Sequence, residues 1–65
     1  MMLALYSRVI YVGPNGLYDD VEENDVGYII ENYGDGNYEI EFSDVDGSTR
    51  VQSVIPEAFL QTTEI

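Results

Sequence analysis

The residues of this chain that could take part in chemistry are carboxylates, and three of them lie on two neighbouring predicted strands. Glu39 and Glu41 alternate with apolar residues, and Glu31 follows the apolar segment before them. Two carboxylates can divide the work of general acid and general base when their surroundings separate their pKa values. The chain offers no histidine, cysteine or lysine to assist them, and alternating charges are typical of the solvent-facing side of a strand. We therefore predict no catalytic residues and no enzyme.

A second candidate is the segment Asp44-Val45-Asp46-Gly47, which begins like a calcium-binding loop with alternating carboxylates and a glycine. The twelfth position of such a loop needs a bidentate glutamate and is Ile55 here. The same residues suit a tight hairpin turn, which is the interpretation we favour. The glycine-rich residues 34–37 precede a predicted strand, whereas a phosphate-binding loop precedes a helix. We expect no metal and no cofactor.

The elements that position these carboxylates are predicted to be strands. Residues 38–42 place Tyr38, Ile40 and Phe42 on one face and the two glutamates on the other, which is the two-residue period of a half-buried strand. The remaining segments are assigned from β-branched and aromatic residues bounded by turn signals. The predicted strands are residues 5–12, 26–33, 38–43, 49–54 and 60–62, with one 3₁₀ or helical turn at residues 56–60.

Residues 17–24 carry too much charge for a confident helix and are predicted to form an excursion loop, held to the core by Leu17 and Val21. Gly27 interrupts the second strand and predicts a bulge or the close approach of another backbone. Residues 63–65 are expected to fray.

This order of elements predicts an all-β fold, a small SH3-like five-stranded barrel in which residues 1–65 form a single domain. The alternative, an OB-like barrel, needs a helix between strands three and four, and the turn at residues 44–47 leaves no room for it. The chain has no cysteine, so its stability must come from apolar packing or from a partner.

Several segments, taken in order, resemble a family of small bacterial proteins known as domain of unknown function 4926. They are residues 25–31 (DVGYIIE), 33–36 (YGDG), 38–42 (YEIEF), 44–47 (DVDG) and the late Ile55-Pro56. The resemblance covers residues 9–60. It implies an SH3-like fold and a gene that frequently lies beside that of a second small protein, as antitoxin and immunity genes do. It implies no catalytic residues.

The charge of the chain restricts its partners. Thirteen acidic residues against two basic ones give a formal charge of −11, and neither Arg8 nor Arg50 lies within the densest acidic segment. Nucleic acid and anionic membranes are repelled by such a chain, because phosphate binding depends on Lys and Arg. No apolar stretch is long enough to span a bilayer and no signal peptide is recognisable. We expect no nucleic-acid or membrane binding and a cytoplasmic protein of a bacterium.

The partner-binding surface is predicted to combine carboxylates with tyrosine. Six tyrosines are many for 65 residues, and tyrosine is favoured at the buried centres of protein interfaces. We expect about half of them in the core, with Tyr18 and Tyr33 exposed and Tyr18 the best interface candidate. The predicted partner-binding residues are Tyr18, Asp19, Asp20, Glu22, Glu23, Asp25, Glu31, Tyr33, Glu39 and Glu41.

We therefore predict a non-enzymatic acidic module that binds a basic protein, such as an antitoxin, an immunity protein or another inhibitor of a nucleic-acid-handling protein. The partner is expected to be encoded by a neighbouring gene. The alternative is a structural subunit or homo-oligomer that assembles through an exposed strand edge. Acidity that serves only solubility remains a third interpretation.

Overall fold

A computed structural model describes residues 3–63 and forms one antiparallel sheet. In chain order the elements are β1 (Arg8–Tyr11), β2 (Val26–Asn32), β3 (Asn37–Ser43), β4 (Thr49–Pro56), a 3₁₀ turn η1 (Glu57–Phe59) and β5 (Leu60–Thr62). The predicted all-β class is confirmed for these residues, as are the five strands and the short turn before the last of them.

The alternation predicted for β3 is what organises the core. Tyr38, Ile40 and Phe42 are at most 1% exposed, while the residues between them face outward. They pack with buried side chains from each of the other four strands, with Val21 from the loop between β1 and β2, and with Leu3 from the segment before β1. The fully buried members by volume are Tyr11, Tyr38, Phe42, Ile29, Ile40, Ile55, Val9 and Val21. A single apolar cluster on one side of the sheet therefore holds the fold together.

The strands follow the order β4-β3-β2-β1-β5, and every neighbouring pair is antiparallel. Within residues 3–63 the sheet does not close, since β4 and β5 lie at its two ends. The open edges belong to strands of very different length, eight residues in β4 and three in β5.

Two strand boundaries differ from the prediction by more than one residue. β1 begins at Arg8 rather than at residue 5, because Tyr6 takes a left-handed φ of 65° that no strand can contain. Its amide still donates to the Ile29 carbonyl at 2.6 Å. β4 runs two residues further than predicted, to Pro56. A proline is tolerated there because the strand lies at the edge of the sheet.

The turns between strands have the predicted chemistry. Gly34 and Gly36, between β2 and β3, and Gly47, between β3 and β4, all have the positive φ that a tight turn requires and glycine adopts readily. The predicted close approach of another backbone at Gly27 is confirmed, because a Cβ there would lie 2.9 Å from the Glu41 carbonyl oxygen. Of the predicted frayed tail, Thr63 is instead bonded, its amide donating to the Arg8 carbonyl at 3.3 Å. The rest of that tail lies outside the described residues.

Candidate partner-binding surfaces

The structure divides the predicted partner-binding residues between two surfaces. The first, the acidic loop, is the segment between β1 and β2 that carries Asp19, Asp20, Glu22, Glu23 and Asp25. The second, the acidic face, is the outward side of β2, β3 and β4. It carries Tyr28, Glu31, Glu39, Glu41, Gln52 and Val54.

The acidic loop is a folded segment anchored from within. Val21 is 1% exposed and belongs to the core, as predicted, whereas Leu17 is 54% exposed and does not hold the loop, contrary to the prediction. Leu17 lies four residues before the anchor, on the exposed approach to a short bridge between Tyr18 and Val21. The loop turns sharply around Val21, since Asp20 and Asn24 both have positive φ.

Arg50 ties the acidic loop to β4. Its Nη2 lies 2.7 Å from Asp25 Oδ2 and also donates to the Asp20 carbonyl at 2.9 Å, while Nε donates to the same carbonyl at 3.1 Å. Asp25 Oδ2 accepts the Glu22 amide at 2.9 Å as well. A guanidinium that reaches both a carboxylate and a backbone carbonyl is a structural tie. Part of the acidity of the loop is therefore used to fold it.

A β-bulge places Arg50 where it can do this. Phe42 pairs with Val51 and Ser43 pairs with Thr49, so Arg50 is the extra residue of β4. A bulge redirects the inserted side chain out of the strand's alternation. Arg50 lies outside the acidic segment of the sequence, and this contact was not predicted, because residues 25 and 50 meet only across the folded chain. The uneven alternation of residues 49–54 was the available signal.

A pocket of about 250 Å³ lies at this junction and is lined by Asp20, Glu22, Asp25 and Arg50. The cationic side chain in this lining is Arg50, which is already bonded to the acidic loop. Within residues 3–63 no three acidic side chains are grouped as a metal site would require. None of the sheet glutamates considered for catalysis lines this pocket.

The acidic face is set by strand register. Glu31 is directly opposite Glu39, Tyr28 is opposite Glu41, and the two β3 glutamates are opposite Val54 and Gln52 of β4. Residues directly opposite one another lie on the same side of a sheet. The carboxylates of the face are therefore neighbours, and two of them form a cross-strand pair of like charge.

A second bulge produces this like-charge pair. Ile29 pairs with Ile40 and Glu31 with Glu39, so Ile30 is an extra residue in β2. If the register continued without the bulge, Ile30 would be opposite Glu39, and Glu31 would be opposite Tyr38 on the buried side of the sheet. Like charges directly opposite each other are unfavourable, so the arrangement costs some stability.

Tyr33 lies beside this pair of glutamates. Its hydroxyl donates to Glu39 Oε1 at 2.5 Å, and the side chain is 50% exposed, as predicted. The hydrogen bond to Glu39 raises the pKa of Tyr33 above 10.0, and the charges of Glu39 and Glu31 add to the effect. On the same face, Thr49 Oγ1 donates to Glu41 Oε2 at 2.6 Å.

Apolar side chains flank the carboxylates of the acidic face. Tyr28 is 42% exposed and Val54 45% exposed, and each is directly opposite one of the β3 glutamates. Arg8 is opposite Tyr28 on its other side, and its Nε donates to Thr63 Oγ1 at 3.0 Å, toward β5. Tyr28 and Val54 were not among the predicted partner-binding residues, although the alternation of their strands could have identified both.

Tyr18 does not lie where the sequence analysis expected. It is half-buried and packs edge-on against Tyr11, with ring centroids 6.0 Å apart. Fewer tyrosines than expected are buried, since Tyr11 and Tyr38 are the two in the core. Burial raises the pKa of Tyr11, whose hydroxyl donates to the Pro14 carbonyl at 2.6 Å. Tyr18 serves the core more than the surface.

The predicted turn at Asp44-Val45-Asp46-Gly47 is confirmed. The Gly47 amide donates to the Asp44 carbonyl at 2.9 Å, and Asp46 Oδ1 accepts both the amide and the hydroxyl of Ser48. These bonds, the hydroxyl first, lower the pKa of Asp46. The carboxylate is thus engaged in the hairpin itself.

The fold and these surfaces define a small all-β protein with an acidic, partly apolar outward sheet face. The chain matches the family described as domain of unknown function (DUF4926) over residues 15–62, and it belongs to that family. No curated protein and no solved structure matches it. Among residues 3–63 there is no helix with the length and hydrophobicity to cross a membrane.

Proposed function

We propose that this protein is a non-enzymatic binding module that acts on a basic protein through its acidic face, as an antitoxin, an immunity protein or another inhibitor of a nucleic-acid-handling protein does. The partner is the product of a neighbouring gene, and both act in the cytoplasm. Complementary charge would accelerate encounter and exclude nucleic acid from the same surface.

The observation that carries this proposal is that two carboxylates of the acidic face are directly opposite each other. Glu31 and Glu39 are opposed across two strands, and within residues 3–63 no arginine pairs with either, whereas Asp25 of the acidic loop is paired with Arg50. A fold that places like charges together at a cost in stability is consistent with a surface used for recognition. Tyr28 and Val54 supply the exposed apolar area that a protein interface needs next to its charges.

We also infer that the sheet is curled into an SH3-like barrel that stays open between β4 and β5. The contact of Arg50 in β4 with Asp20 and Asp25, just before β2, supports this curl. Asp20 and Asp25 lie in the loop that leads into β2, and β2 and β4 are not neighbours in the sheet. The order of elements, with η1 directly before β5, supports it as well.

The proposal is tested with two variants that each remove three negative charges. The face variant carries Glu31→Gln, Glu39→Gln and Glu41→Gln, and the loop variant carries Asp19→Asn, Glu22→Gln and Glu23→Gln. The product of the neighbouring gene is the first probe. We expect the loop variant to bind it nearly as well as the native chain and the face variant to lose at least about tenfold in affinity. Equal losses in the two variants would contradict a specific role for the face.

Ionic strength gives a second measurement on the same complex. Association steered by charge slows as salt screens it, with a Debye length of about 10 Å at 0.1 M. We expect the association rate constant to fall by about tenfold or more between low and high salt. A rate constant independent of salt would contradict charge-steered binding.

A further inference from the structure

The outer edge of β4 is an open strand edge that borders the acidic face. β4 is the last strand of the sheet on that side, and its residues Gln52 and Val54 are directly opposite Glu41 and Glu39. A peptide added to this edge would therefore extend the acidic face by one strand.

The hydrogen bonds on either side of β3 show which groups of β4 are open. The Glu57 amide donates to the Gly36 carbonyl, and the Tyr33 amide donates to the Asn37 carbonyl. Because bonding alternates along an antiparallel strand, even-numbered β3 residues bond β4 and odd-numbered ones bond β2. Gln52 and Val54 pair with the odd-numbered residues. Their amides and carbonyls therefore point away from β3, and no other residue in the range 3–63 bonds them.

Little on β4 protects this edge. Proteins commonly protect an edge with charged residues, prolines, bulges or a very short strand. In β4 the bulge at Arg50 and the proline at Pro56 lie at the two ends, and residues 51–55 (VQSVI) between them carry no charge. The opposite edge, β5, is three residues long. Within residues 3–63, β4 is thus the one strand that leaves a five-residue edge open.

A second copy of this chain or a basic strand from a partner could pair with this edge, and charge favours the basic strand. A second copy of this chain would bring another formal charge of −11 and a second acidic face into the same sheet. A basic strand would instead place its outward side chains beside Gln52 and Val54. Neighbouring strands lie about 4.8 Å apart, so a lysine or arginine side chain on the added strand reaches the Glu39 and Glu41 carboxylates across β4.

We propose that the basic partner binds by adding an extended segment, with alternating basic and apolar residues, to the open edge of β4 between Arg50 and Pro56. Main-chain hydrogen bonds to Gln52 and Val54 supply affinity, and the acidic face selects basic outward side chains. This inference rests on the proposed function and assigns the structural form of the partner segment.

The test uses the full chain and a synthetic peptide of about ten residues, the upper length of common strands, in which lysine and valine alternate. At low salt, we expect the peptide to bind and to slow amide hydrogen exchange at Gln52 and Val54. A peptide with glutamate in place of lysine is the matched control and should not bind. The 65-residue chain can be made by chemical synthesis, which allows single backbone amides to be N-methylated.

N-methylation of Val54 removes an edge donor without touching a bond of the sheet. We expect it to weaken peptide binding by at least about fivefold, the loss of one hydrogen bond. N-methylation of Thr62 is the control, because its amide points away from β1 on the other edge: the Thr63 amide bonds Arg8 and the Phe59 carbonyl accepts the Val12 amide. This control should leave binding unchanged.

Three results would overturn the inference, and they differ in what they leave standing. Binding that survives N-methylation of Val54 but is lost in the face variant contradicts strand addition and leaves the proposed function intact. Binding of neither the peptide nor the product of the neighbouring gene contradicts both. Slowed exchange at Gln52 and Val54 that grows with protein concentration alone identifies a second copy as the occupant.

Discussion

The acidic loop and the acidic face have the same kind of side chain and opposite roles in the fold. In the loop, Asp25 is paired with Arg50 and the Asp20 carbonyl is bonded to the same guanidinium. On the face, Glu31 and Glu39 are opposed as like charges. Composition alone treats all these residues as one acidic surface. The comparison teaches that an acid paired with an arginine ties parts of the fold together, whereas acids opposed across two strands keep their negative charge.

The two regions should differ most in how much the free energy of unfolding falls when an apolar side chain is shortened. Val21→Ala removes a fully buried side chain from the acidic loop and should lower the free energy of unfolding by about 2 kcal/mol. Val54→Ala removes the same atoms from the acidic face and should change it by less than about 0.5 kcal/mol. Urea unfolding of both variants measures this. If Val21→Ala lowered the free energy of unfolding as little as Val54→Ala, the loop would not be part of the core.

Replacing Arg50 should have the next largest effect on the free energy of unfolding. Arg50→Met keeps an apolar stem but removes the guanidinium bonds to Asp25 and to the Asp20 carbonyl. It should cost about 1–2 kcal/mol, a range reduced because the ion pair is partly solvent-exposed. Arg50→Lys keeps the charge but cannot form the same fork, so it should recover only part of the loss. Full recovery with lysine would mean that charge alone matters.

On the acidic face, removing a charged side chain should stabilise the fold rather than destabilise it. Glu31→Gln relieves the repulsion opposite Glu39 and should stabilise the fold by a few tenths of a kcal/mol. Added salt should have the same direction of effect on the native chain, because its formal charge is −11. Thermal unfolding of the native chain and the variant at low and high salt measures both. A destabilised Glu31→Gln variant would break the comparison between loop and face.

The smallest effect concerns the proton of Tyr33. Its pKa is raised, first by its hydrogen bond to Glu39, so the stability from this contact is present below the unfolded pKa of about 10. That contribution is lost as the pH rises through the higher folded value. Glu39→Gln should bring the pKa of Tyr33 down toward its ordinary value, as followed by NMR titration. Glu41→Gln, which removes an equal charge, should leave it higher than Glu39→Gln does.

Much of the fold was predictable because it depends on local patterns. The alternation of Tyr38, Ile40 and Phe42 fixed the buried side of β3, and the glycines at 34, 36 and 47 marked turns that need positive φ. The 3₁₀ turn before β5 followed from Pro56 and the residues after it. These features depend on residues close together in the chain.

The candidate site was predictable only as a list of residue types. All the acidic positions proposed for binding were in the sequence, but their division into two surfaces was not. Arg50 reaches Asp25 from another strand through a bulge, and Tyr18 turns inward against Tyr11. The uneven alternation of residues 49–54 marks the bulge at Arg50, but no local pattern identifies the partner of Arg50 or of Tyr18, because folding brings each pair together.

The sequence by itself determined that this chain forms strands, which of their faces are apolar and that its surface is strongly negative, since these depend on side-chain type and a period of two. The tertiary structure decided which acids are neutralised and which remain opposed, and which strand is left with an open edge. Those outcomes depend on strand order and on single-residue bulges, which fix which distant residues become neighbours.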